Sequence, residues 1–86
     1  MTEKRKNMKK ILESIKDFLM DDTYDAMFLV INDKDKAVNL RAAISMHRLR
    51  HDLDFTTSVD VGGVWIMKNP NNIKEVMYAE GIEELL

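Results

Sequence analysis

Met8, Ile11, Leu12, Ile15, Phe18 and Leu19 recur at three- and four-residue spacing, the apolar stripe of an amphipathic helix over residues 3–20. Its charges oppose the helix dipole, with Lys4, Arg5 and Lys6 at the positive end and Asp17 near the negative one. Each well-placed charge of that kind costs about 0.3–1 kcal/mol. Residues 24–31 are apolar on both alternating faces, which predicts a strand interior to its sheet. Asn32 and Asp33 then offer caps for a second helix over residues 34–53, a stretch without Gly or Pro. On a helical wheel, Val38, Ala42, Met46, Leu49 and Leu53 fall together as the expected core face. Arg41, Arg48 and His51 fall opposite, toward water.

Residues 55–61 alternate apolar and polar, Gly62-Gly63 accept positive φ, and residues 64–68 return as a second strand, a hairpin pattern. A two-residue turn at Gly62-Gly63 pairs Val61 with Val64 and Val59 with Ile66. These share a face with Phe55, while Thr56, Ser58, Asp60, Trp65 and Met67 share the other. Pro70 ends the strand. Asn72, with Glu75 three residues on, reads as a capping box for a short helix carrying Ile73, Val76 and Met77 and stopped by Gly81. The expected architecture is α+β, in the order helix, strand, helix, β-hairpin, helix, with a small single-layer sheet packed by helices. No repeat or linker divides residues 1–86, so one domain is expected.

Composition narrows the function classes. With 86 residues and 45% apolar content there is material for one core, burying roughly 60% of the unfolded surface. There is no cysteine, which removes disulfides and thiolate metal sites and fits a reducing, cytoplasmic setting. The longest apolar run, residues 26–31, is far short of the roughly 20 residues of a spanning helix, and the basic N-terminal stretch lacks a signal-peptide core. A soluble chain without a membrane partner is expected. The net charge of −2 conceals segregation: Lys4, Arg5, Lys6, Lys9 and Lys10 form a basic cluster, while Glu13, Asp17, Asp21, Asp22 and Asp25 form an acidic stretch relieved only by Lys16. A dipolar surface of this kind suits oriented docking to a charged partner.

Catalytic groups are sparse. His47 and His51 stand at i and i+4, the spacing of helical zinc sites, yet the residues between them are Arg48, Leu49 and Arg50, with no glutamate to act as base and two cations that oppose a metal. Ser14, Ser45 and Ser58 lack a nucleophile elbow, and no glycine-rich loop precedes a helix. A non-enzymatic protein with no cofactor, no metal and no small-molecule substrate is therefore expected.

Two binding surfaces compete. A helix carrying Arg41, His47, Arg48 and His51 leads through Asp54 into the hairpin DFTTSVDVGGVWIMKNP, and residues 8–68 in this order resemble the recognition helix and wing of a winged helix-turn-helix domain. The resemblance implies nucleic-acid binding, with Arg41, His47, Arg48, His51 and Lys68 at bases or phosphates and Gly62-Gly63 at the wing tip. The rival is Trp65 with Met67. A helix over that face makes Trp65 core, whereas an uncovered face makes it a protein contact. The second reading describes a small regulator or inhibitor of another protein, for example a phage-encoded one acting on a host enzyme or transcription factor. Its Lys-, Asn-, Ile- and Met-rich usage fits an AT-rich genome, and both readings admit a homo-oligomer.

Overall fold

The computed structural model describes residues Glu3 to Leu86, with side chains from Arg5 onward, so that Lys4 of the basic cluster lies outside the described side chains. The first apolar stripe forms α1 (Glu3–Met20), and its Ile11, Ile15 and Phe18 are buried. There follow β1 (Ala26–Val30), α2 (Lys34–Arg50), β2 (Thr56–Asp60), β3 (Gly63–Met67) and β4 (Val76–Ala79), then a single 3-10 turn, Glu83–Leu85. The four strands form one mixed sheet in the order β2-β3-β1-β4. As its two apolar faces predict, β1 is interior, antiparallel to β3 on one side and parallel to β4 on the other.

Alternation along the strands sorts the sheet into two faces. Met27, Leu29, Val64 and Ile66 point one way and join a single buried cluster with Ile11, Ile15 and Phe18 of α1 and Ala37, Leu40 and Ile44 of α2. Both helices therefore cover the same face, giving a two-layer α+β domain. Full burial of each such aliphatic side chain contributes about 1.5–3 kcal/mol. Among the described residues no helix is long and apolar enough to cross a membrane.

Three expectations are corrected. The core face of α2 is Ala37, Leu40 and Ile44, whereas Val38, Met46 and Leu49 are 46%, 52% and 64% exposed. Ile31 is buried at the entry to α2, and the Asp33 carboxylate caps it by accepting from the amides of Asp35 and Lys36 at 3.0 and 3.2 Å. That fixed entry turns Ala37, not Val38, toward the sheet, and the wheel alone could not choose because α2 carries apolar residues on both sides, Ala37, Leu40 and Ile44 on one and Val38, Met46 and Leu49 on the other. The helix also stops at Arg50, followed by Asp52 at φ 50°, so Leu53 packs from the succeeding loop.

The hairpin turns at Val61-Gly62, with Gly62 at φ 86°, and Gly63 is already in β3. Asp60 pairs with Gly63, Val59 with Val64 and Ser58 with Trp65. Relative to a Gly62-Gly63 turn, the pairing slides by two residues. A slide of two preserves side-chain facing, whereas a slide of one would invert it. Val59, Val64 and Ile66 accordingly share the helix side, with Trp65 and Met67 on the other.

The expected final helix is β4. Its would-be capping amide is taken elsewhere: the Asp25 carboxylate accepts from the backbone N–H groups of both Lys74 and Glu75 at 3.0 Å, and the Asp25 N–H donates to the Glu75 carbonyl at 2.8 Å. These bonds clamp the chain alongside β1 and hold the Asp25 carboxyl below the ordinary aspartate range.

Candidate functional site

The sheet face opposite the helices is covered by no described element, and it is built in rows. Ser58, Trp65, Phe28 and Tyr78 are direct neighbours across all four strands. The Phe28 and Trp65 ring centroids are 4.7 Å apart at 58°, and those of Phe28 and Tyr78 are 6.1 Å apart at 67°, the tilted geometries that aromatic quadrupoles favour. Trp65 and Phe28 are half-buried by one another, while Tyr78 is 66% exposed. Below this row lies Thr56, Met67, Ala26 and Val76; above it lies Asp60, Gly63 and Val30, with Glu80 directly following β4.

Two local features hold the row in place. Asp60 accepts from the Val61 amide at 2.7 Å through one carboxylate oxygen and from the Trp65 indole Nε1 at 3.3 Å through the other, tying the tryptophan to the hairpin turn. Gly63 leaves room for Phe28: a β-carbon at position 63 would lie 2.8 Å from the Phe28 ring and 2.0 Å from the Leu29 carbonyl oxygen. Among the strand residues of this face the one charged side chain is Asp60, and no lysine or arginine is present.

The set implied by the winged-helix resemblance is dispersed. Arg41 is exposed and Arg48 half-buried. His47 and His51 stack at 4.4 Å between centroids and border a groove of about 520 Å³ against α1, floored by Met8, Leu12 and Leu19. Burial first, then the charges of His51 and Arg50, hold His47 below the ordinary histidine range. Among the described residues no group of three metal-ligating side chains forms around this pair. Lys68 lies on the helix side, 4.6 Å above the Phe18 ring, donating to the carbonyls of Asp21 and Tyr24 just beyond the end of α1. There it offsets the negative helix terminus that the sequence leaves without a basic last turn. In addition, α2 is one unbroken helix where the resemblance implies two, and all of β3 is paired into the sheet.

The sequence pattern does not point to Phe28 and Tyr78: Phe28 sits in a strand apolar on both faces, and Tyr78 follows a capping pattern that predicts a helix. The available signal was that β1 offers Phe28 and β3 offers Trp65 on the face away from Leu29 and Ile66. The chain matches no protein family, no curated protein and no solved structure.

Proposed function

We propose that this chain is a non-catalytic protein-binding module that receives, on the open sheet face, a partner segment carrying apolar side chains and at least one cation. The observation that carries the reading is the in-register row Trp65, Phe28 and Tyr78 on an uncovered face. Aromatic side chains that are already held in place supply large contact area at little entropic cost, which is why tryptophan and tyrosine dominate interface hot spots. Asp60 and Glu80 at one end of the face favour a lysine or arginine on the partner, which Trp65 and Tyr78 can also accept over their rings.

The electrostatics separate this reading from the nucleic-acid one. Stacking platforms for single strands depend on cations that follow the phosphates, and the strands of this face carry none. On α2, Arg41 and the His47–His51 pair flank buried Leu40 and Ile44 on opposite sides, and Lys68 lies under the end of α1. A single phosphate track does not join them. Regulation or inhibition of another protein follows as the role of such a module.

Selection from a random peptide library tests this, with the Trp65→Ser/Tyr78→Ser variant as counter-selection. Enrichment of peptides combining Arg or Lys with Leu or aromatic residues, bound by the parent and not by the variant, is expected. Because Trp65 is the single tryptophan, its fluorescence reports the same event. Selected peptides that bind both proteins equally, or an oligonucleotide that quenches Trp65 with steep salt dependence, would overturn the reading.

A further inference from the structure

We infer that the groove between α1 and the C-terminal turns of α2 binds one long-chain carboxylate as a ligand, its apolar chain along the floor and its head among the cations of the rim. At about 100° per residue, α1 turns Ile11 and Phe18 to the sheet, and Met8, Leu12, Ile15 and Leu19 fall in an adjoining arc of about 60°. Ile11, Ile15 and Phe18 are sealed, yet Met8, Leu12 and Leu19 stay only half-buried. The apolar stripe is thus wider than the sheet covers. Its surplus floors the groove, which Leu53, just after α2, completes. From Met8 to Leu19 that floor runs about 16 Å along α1. The volume of about 520 Å³ lies within the roughly 300–1,000 Å³ of small-molecule sites, and the long unbroken apolar floor suits a linear chain.

The rim supplies the charge. Continuing round α1 from the floor, Arg5, Lys16 and Lys9 come next, all exposed, and Glu13, the one acid of the lining, lies furthest round. His47 and His51 border the other side, their ring centroids 4.4 Å apart. Cations and imidazoles of two helices therefore converge on an apolar trough that holds a single acid, a field that favours an anionic amphiphile over a neutral or cationic one.

The histidine pair adds a pH dependence. Burial first, then the charges of His51 and Arg50, disfavour the protonated form of His47. Across the groove, Arg5, Lys9 and Lys16 act in the same sense and Glu13 alone opposes them. A carboxylate head set among these groups favours the imidazolium, so binding draws a proton onto His47 and tightens as the pH falls. The groove lies on the helix side of the sheet, away from Trp65, Phe28 and Tyr78, so this site and the open face are tested separately.

Calorimetric titration of the full chain with dodecanoate, kept below its micelle-forming concentration, tests the inference. Saturable one-to-one binding is expected, tightening by up to roughly fourfold per added methylene from octanoate to dodecanoate. Dodecanol and dodecyltrimethylammonium should bind about tenfold more weakly or less. Lys9→Gln with Lys16→Gln changes exposed residues, so the melting temperature of the unliganded protein should hold while affinity for dodecanoate falls roughly tenfold. Dodecanesulfonate, which stays ionised throughout, should bind severalfold more tightly at about pH 6 than at about pH 8, and His47→Gln should remove that difference. Trp65→Ser/Tyr78→Ser should bind as the parent does. Absence of saturable binding, equal binding of dodecanol, an affinity indifferent to Lys9→Gln/Lys16→Gln, or retention on phosphatidylglycerol vesicles without binding of monomeric dodecanoate would overturn it.

Discussion

The two faces of this sheet use the same strands for opposite ends. On the helix side, Met27, Leu29, Val64 and Ile66 are aliphatic or thioether side chains sealed under α1 and α2. On the other side the same β1 and β3 present Phe28, Trp65 and Met67, aromatic or polarizable and only half-buried, joined by exposed Tyr78 from β4. A face kept only for solvation would alternate to charged and hydroxyl side chains, as β2 does with Thr56, Ser58 and Asp60. The contrast teaches that the buried aliphatic face carries the stability of the fold and leaves the aromatic face free for the recognition proposed above, so substitutions on the two should separate stability from binding.

The largest stability effect is expected at Ile15, fully enclosed between α1 and the sheet. Ile15→Ala should cost about 2–5 kcal/mol, measured by chemical or thermal unfolding. A cooperative melt within a few degrees of the parent would place the core elsewhere. Gly63→Ala comes next, because the added carbon meets the Leu29 backbone and the Phe28 ring. Overpacking of this kind should cost about 1–3 kcal/mol, and the Phe28–Trp65 contact should loosen, visible as a shift in Trp65 emission.

On the open face, Trp65→Ala or Tyr78→Ala should cost about 0.5–1.5 kcal/mol for each aromatic pair removed, beyond the apolar area each ring buries, which is less for exposed Tyr78 than for half-buried Trp65. Each should nevertheless abolish capture of peptides selected by the parent. A variant that loses neither binding nor stability breaks the contrast between the faces. The smallest effect is a pH dependence. His47 has a folded-state pKa below its unfolded one, so its stabilising contribution is present above about pH 6.5 and is lost as the pH falls through the depressed value. Thermal stability should therefore decline between about pH 7 and about pH 5, and His47→Gln should flatten that decline. Asp21 and Asp25, both depressed below the ordinary aspartate value by backbone N–H donors, contribute in the same direction at lower pH.

Much of the architecture was legible along the chain. The spacing in α1 recurs regularly enough to locate every core position, and the apolar run of β1 identifies it as interior. The rotation of α2 was not legible, because Ala37 is the smallest of its core residues while Val38, Met46 and Leu49 are larger and exposed. There the cap at Asp33 and the buried Ile31 decided the orientation. The segment at β4 was misread for a related reason: Asn72 and Glu75 satisfy a local capping pattern, but Asp25, some fifty residues earlier, captures the Lys74 and Glu75 amides. A contact of that range leaves no periodic trace in sequence. Half of the candidate site was likewise visible, as Trp65 and Met67, whereas Tyr78 needed β4 to be a strand.

Amide chemical-shift mapping tests the open face most directly. The labelled chain is titrated with a selected basic and apolar peptide, and in a parallel arm with a mixed-sequence DNA duplex. Shifts concentrated at Phe28, Trp65 and Tyr78 on peptide addition, with little change on addition of duplex, are what the account predicts. Peptide shifts confined to α2, or duplex shifts centred on Arg41, Arg48 and His51, would contradict it.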